Sequence, residues 1–359
     1  MYSYTDMIAE LQAIARGAEH VHLDEDRLDQ VTAVVRTRLG INDFGTRRDY
    51  PDLPPAEMLQ FLLVGGAHNF LFWQRDPDGA IVPWHVTVNG EARTGFPAYL
   101  ACQTRALRQG QNFLDPDVLL SMTLTDIEEM YRDEQIGEVT LQFLPERLAR
   151  FHEVGRVLKA RYAGSFLNLL EQAGGHLFRD DGNGIIQQLI TEFPLTYGDW
   201  PFCKKAMVTI GNLYQDRDRL IPRSSPYRNL VELRDPEKIE IGADYYRPYF
   251  LYRVGVLRID EEFRIRLINR ELIERESPVE REYRAWTILA GHELAKRLGV
   301  TPHDVAVETW GMGYVRCRAC FIGVSDAEVP CHYRAFCYAY NEEPALMQTL
   351  WPLVMTTAY

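Results

Sequence analysis

One carboxylate stands apart in this 359-residue chain. Asp244 sits in Gly242-Ala243-Asp244-Tyr245-Tyr246-Arg247-Pro248, between a small-residue pair and an aromatic, basic run. Tyr249, Phe250, Tyr252, Val256 and Leu257 follow at roughly helical spacing, which predicts a helix starting beside Asp244. Orphan N–H groups and the helix dipole favour an ionised carboxylate at such a start. An anion among aromatic rings suits a transition state with sugar-cation character. The same residue would also serve as an ordinary N-cap.

Other chemistry-bearing groups are dispersed. Lys204-Lys205 precedes the apolar run Ala206 to Leu213 and reads either as a solvated face or as a phosphate clamp. Trp73, Tyr245 and Trp310 are flat groups beside polar ones, suited to core packing or to stacking on a base. Cys317, Cys320, Cys331 and Cys337 form C-x2-C-x10-C-x5-C, compatible with structural zinc; Cys317 and Cys320 could equally be small buried residues on one helical turn. HExxH fails, because His292-Glu293 is followed by Lys296 where that motif needs a second His, which argues against a zincin site. No GxGxxG, Walker A or Gly-x-Ser-x-Gly sequence is present. Asp180-Asp181-Gly182-Asn183-Gly184 lacks the closing Glu of a calcium loop and reads as a polar turn.

The elements that must position these groups read as mainly helical. Apolar periodicity predicts helices beginning near Met7 and Leu28, and over Tyr99 to Gly110, Leu144 to Tyr162, Ser165 to Gln172, Ile185 to Phe193 and Cys203 to Tyr214. Further helices are expected over Glu261 to Arg275, Val279 to Leu298 and from Thr301. Ile81 to Val88, the turn Asn89-Gly90 and the return toward Phe96 predict a β-hairpin. Asp216 to Lys238 reads as a long surface loop. No repeat or low-complexity linker divides the chain, so one mainly α domain over 1–359 with a small hairpin is expected.

A net charge of −12 argues against a broad nucleic-acid-binding surface. No apolar run reaches the roughly 20 residues of a membrane span, and the N-terminus lacks the basic start and apolar core of a signal peptide. A cytoplasmic protein with reduced thiols is expected.

In this order the motifs resemble the queuosine salvage family, the queuosine 5′-phosphate N-glycosylases. The likeness runs over about residues 60–340, behind an N-terminal helical segment over 1–60. Asn69-Phe70-Leu71-Phe72-Trp73 resembles NFxFW, and Gly95-Phe96 with Arg105-Ala106-Leu107 resembles GY…RAL. Gly164-Ser165-Phe166-Leu167-Asn168 is similar to GSFLN. Phe193-Pro194 with Lys204-Lys205-Ala206 is similar to FP…K-[RK]-A. Ala243-Asp244-Tyr245 with Pro248 and Leu251 resembles ADYR-x-P-x-x-L, and Pro330-x-His332 resembles P-x-H-R.

The resemblance implies a fold akin to the helix-hairpin-helix DNA glycosylases. It implies hydrolysis of queuosine 5′-monophosphate, or a related 7-deazapurine nucleotide, to queuine and ribose 5-phosphate, with no cofactor. Asp244 would be the catalytic carboxylate. Phe70, Trp73, Tyr245 and Trp310 would offer stacking surfaces. Glu308 falls where the family has a ligand-binding Asp. Lys204 and Lys205, then Arg247, would meet the phosphate, and His332 is a further contact. Arg105 is expected in a structural ion pair. The chain departs from the pattern at Gly242, at Tyr246 in place of Arg, and at Gly313 in place of a second Asp. The family's N-terminal His has Tyr50 or Asp49 as its nearest substitute. A modified-nucleoside-binding protein without catalysis is the alternative.

Overall fold

The computed structural model describes residues 2–42, 44, 50–76, 78–325 and 328–359. The protein is mainly helical, and its strands form short two-stranded ladders. Its chain contacts separate two compact units: Met1–Thr46 with Trp200–Met207 and Pro236–Thr356, and Arg47–Asp199 with Val208–Asp235 and Thr357–Tyr359. They are called unit 1 and unit 2 below.

Unit 1 is organised on the helix Pro278–Leu298. Ser277 caps it by accepting the Glu280 N–H, and Pro278 occupies its first turn, where a missing N–H costs nothing. The helix Tyr4–Arg16 packs on it, burying Met7, Leu11 and Ala15 at four-residue spacing. Val21–Leu23 pairs antiparallel with Leu257–Ile259, tying the N-terminal segment to the chain beyond Asp244. Gly291 permits a close approach: a Cβ there would overlap the Ile241 side chain. Ile241 thereby seats the irregular segment that leads into Asp244, whose N–H turns back to the Gly242 carbonyl at 2.9 Å.

Unit 2 contains the buried helix Pro55–Gly66 and the long helix Leu144–Arg161. Arg147, on that second helix, is fully enclosed. It donates to the carbonyls of His68 at 2.7 Å, Phe70 at 2.9 Å and Gln142 at 3.0 Å. Burial pushes its pKa down to about 10. One guanidinium thus pins the backbone of the Asn69–Trp73 stretch. Arg105 is buried in an ion pair with Glu134 at 3.1 Å and also donates to carbonyls of Met130 and Arg132.

Several predicted elements have different bounds. Ile81 to Val88 is not one strand. Ile81–Pro83 pairs with Trp73–Arg75, while His85–Val88 pairs with Glu91–Thr94 across Asn89-Gly90, whose φ values are both positive. Pro83 has no N–H to continue a ladder, and Trp84 changes partner there. The helix from Glu261 stops at Ile268, because Leu272–Ile273 pairs in parallel with the distant Leu353–Val354. The helix from Lys204 runs on to Leu220, shortening the expected loop, which contains the single turns Arg228–Leu230 and Pro236–Lys238. Thr301 caps a 3-10 turn, Pro302–Val305, that leads into Ala306–Gly311. Among the described residues, no helix is long and apolar enough to cross a membrane.

Candidate active site

The helix Tyr246–Val254 begins two residues after Asp244. Asp244 Oδ1 accepts the backbone N–H of Tyr246 at 2.9 Å and of Arg247 at 3.1 Å. These are the orphan donors of a helix start, so the carboxylate does the work of a cap. It is also buried, which a cap does not require. Its Oδ2 lies 3.3 Å from Arg247 Nη1 and takes neither of those N–H groups. Arg247 donates as well to the Gly242 carbonyl at 2.6 Å and to the Ala306 carbonyl at 3.4 Å. Burial lowers the guanidinium pKa, and the neighbouring Asp244 charge opposes that shift. Arg247 therefore links the Asp244 segment to the first residue of the helix Ala306–Gly311.

That helix carries Glu308 and Trp310. Glu308 is 4% exposed. Its Oε1 accepts Arg38 Nε at 2.6 Å and the Tyr333 hydroxyl at 2.9 Å. Its Oε2 has no hydrogen-bond partner among the described residues. Trp310 stacks on Tyr314, with ring centroids 4.6 Å apart and planes 16° off parallel. Tyr314 meets Tyr246 edge-on, and Tyr246 packs against Tyr245 and Trp351. Tyr246 buries a hydroxyl that also lacks a partner among the described residues. Its pKa lies well above the usual phenol value, chiefly through burial, so the group is a neutral donor.

Gly313 lies in the π-helical turn Met312–Cys317. A Cβ at this position would overlap the Tyr246 carbonyl. The backbone of Tyr246 thus fills the space an acidic side chain would need. Pi turns inside helices recur at functional sites.

The remaining sequence candidates are distributed as follows. Lys204 and Lys205 open a 17-residue helix and are both buried, so they do not form a solvated face. His332 is exposed. Phe70 and Trp73 are core residues of unit 2, and Phe70 lies 4.1 Å beneath the Arg147 guanidinium. Tyr50 donates to Asp216 at 3.2 Å within unit 2, and Asp49 lies outside the described residues. Among the described residues, no three His, Cys, Asp or Glu side chains gather as a metal-binding group. Cys317 is buried with its pKa pushed well above the ordinary thiol value, and Cys337 donates to the Arg253 carbonyl at 3.3 Å. Cys317 is thus a small buried residue, whereas Cys320 and Cys337 are half-buried.

Sequence reasoning missed Arg38, Tyr333 and Tyr314. Arg38 and Tyr333 are 270 and 25 residues from Glu308, beyond any local periodicity. The one available signal was energetic: a buried glutamate must find a donor.

A family model described as "Queuosine salvage protein" matches residues 50–315. The chain belongs to this family. It is 28% identical over 297 residues to the queuosine 5′-phosphate N-glycosylase/hydrolase of Sphaerobacter thermophilus, covering 81% of this chain and 85% of that protein. The Nematostella vectensis protein of the same name is 25% identical over 294 residues, 78% of this chain and 79% of its own. The one from Mus musculus is 24% identical over 238 residues, 64% of this chain and 65% of its own. The span matched to the queuosine salvage family contains Asp244, Arg247, Glu308 and Trp310. Arg38 and Tyr333 lie outside it, one on either side.

Proposed function

We propose that this chain is an N-glycosidase that hydrolyses queuosine 5′-monophosphate to queuine and ribose 5-phosphate. The observation that carries the reading is Asp244: a buried carboxylate whose Oδ1 is anchored by two helix N–H groups and whose Oδ2 is paired with the Arg247 guanidinium at 3.3 Å, in a member of the queuosine salvage family.

The mechanism follows from the leaving group. A 7-deazapurine has carbon where a purine has N7, so protonation at that position cannot activate it. The C1′–N9 bond breaks with its electron pair going to the base, leaving a ribosyl cation. Asp244 Oδ2 opposes the developing charge and takes a proton from water as the water oxygen bonds to C1′. The proton then passes to N9 of the departing base. Tyr245 and Trp310 offer stacking surface for the base, whereas Phe70 and Trp73 are core residues of unit 2. Glu308 accepts from its N–H groups. Lys204 and Lys205 are the phosphate cations, with Arg247 held instead by Asp244 and two carbonyls and His332 a contact at the rim.

The family match over residues 50–315 draws on segments of both units, which supports treating that span as one functional domain. The mainly helical fold with short hairpins is compatible with that of the helix-hairpin-helix glycosylases.

The test is release of free base from queuosine 5′-monophosphate, read by mass spectrometry, for wild type beside Asp244→Asn. Release by wild type alone supports both the activity and the carboxylate's role. Equal release by the variant overturns the assignment of Asp244.

A further inference from the structure

Glu308 divides its two oxygens unequally. Oε1 carries a charge-assisted bond from Arg38 Nε at 2.6 Å and a second bond from the Tyr333 hydroxyl at 2.9 Å. Two donors satisfy the two lone pairs of that oxygen. Oε2 is enclosed and receives nothing from the described residues. A buried acceptor oxygen left unpaired this way is costly, and a ligand donor removes the cost.

The two donors are themselves held. Arg38 ends the helix Glu25–Arg38, and its guanidinium lies 5.7 Å above the Phe44 ring. Tyr333 is fully buried, with its ring edge-on to Phe250 at 5.0 Å. Burial, then the Glu308 charge, raises its pKa well above the usual phenol value, so the hydroxyl keeps its proton and donates.

We propose that Arg38 and Tyr333 are positioning residues that saturate Glu308 Oε1 and present Oε2 as a dedicated acceptor for the donor edge of a 7-deazaguanine, its N1–H and 2-amino group. This rests on the reading of the chain as a 7-deazapurine nucleotide hydrolase and adds how it selects its base. Both residues lie outside the span matched to the family, so the device belongs to the flanks of this chain. A base without those donors leaves Oε2 unpaired and is rejected. Sites built to bond a particular N–H discriminate strongly against analogues that lack it.

The experiment measures dissociation constants by calorimetry for two probes, 7-deazaguanosine 5′-monophosphate and 7-deazaadenosine 5′-monophosphate. The second lacks both N1–H and the 2-amino group. Wild type should bind the first tighter by about tenfold or more, the scale of a hydrogen bond to a charged group. Tyr333→Phe preserves the ring and removes one donor; Arg38→Lys preserves the charge and removes Nε–H. Each should shrink the preference severalfold and leave affinity for the adenosine analogue unchanged. Equal weakening for both probes would mean a merely structural role and overturns the proposal, as does an unaltered preference. Glu308→Gln is a further control if either variant melts early, and a preference surviving in it also overturns the proposal. So does a wild type that binds the two probes alike or binds neither. Hydrolysis of queuosine 5′-monophosphate by the same wild-type sample is scored separately. Turnover without base preference sinks only the Oε1 clamp, and preference without turnover sinks only the hydrolase reading.

Discussion

Asp244 and Arg247 are bound to each other twice, once through the backbone and once through their side chains. The Arg247 N–H reaches Asp244 Oδ1 at 3.1 Å, and its Nη1 lies 3.3 Å from Oδ2. A cap and a buried ion pair are therefore the same residue pair, and changing either partner separates the two roles.

Asp244→Asn keeps a capping oxygen and removes the charge. The cap is kept, since Asn and Asp cap comparably, but the buried Arg247 guanidinium loses its counter-charge, so stability should fall by about 3–5 kcal/mol, the scale of breaking one side of a buried pair. The turnover number should fall at least about a hundredfold, the scale of electrostatic and general-base contributions. Steady-state kinetics beside a thermal melt checks both halves.

Arg247→Met leaves the enclosed Asp244 carboxylate without its cation and strands the Gly242 and Ala306 carbonyls. Breaking one side of a buried pair costs about 3–5 kcal/mol. Urea denaturation should show a loss of that order. A midpoint equal to wild type would show that the pair contributes nothing to stability.

Gly313→Ala drives a Cβ into the Tyr246 carbonyl. The expected cost is that of overpacking, about 1–3 kcal/mol. Gly313→Asp should be worse still and should not raise turnover, because the backbone occupies the space. Recovery of a more active enzyme on introducing the acid would refute this account of the glycine.

His292 supplies a pH dependence. Its Nδ1 lies 2.8 Å from Glu240, and this hydrogen bond raises the imidazole pKa above its ordinary value, against the opposing effect of burial. A raised folded-state value means the charged form is favoured by folding. Its contribution to stability should be complete below about pH 6.5, the unfolded value. It should be lost as pH climbs through the higher folded value. Melting temperatures of wild type and His292→Gln between pH 5 and pH 9 should converge toward the alkaline end, in the ~4-unit window that brackets a histidine titration. A constant gap across that range would exclude the linkage.

Local order was legible in the chain wherever it depends on neighbours in sequence. The helix starting beside Asp244, the Asn89-Gly90 turn and the Ser277-Pro278 helix start follow from spacing, turn chemistry and capping, which act within a few residues. The motifs that mark the queuosine salvage family are equally local, so the family could be recognised before any fold was known. Tertiary structure alone decided the rest. The helix from Glu261 ended early because Leu272–Ile273 found a strand partner some eighty residues away, Leu353–Val354. Lys204 and Lys205 turned out to be buried, which their own sequence does not reveal. The partners of Glu308 come from opposite ends of unit 1, and the closure of Gly313 comes from another segment's backbone. Asp244 and its helix are a short-range matter of orphan N–H groups. What surrounds Glu308 is a long-range matter of which buried donors the fold delivers to one carboxylate.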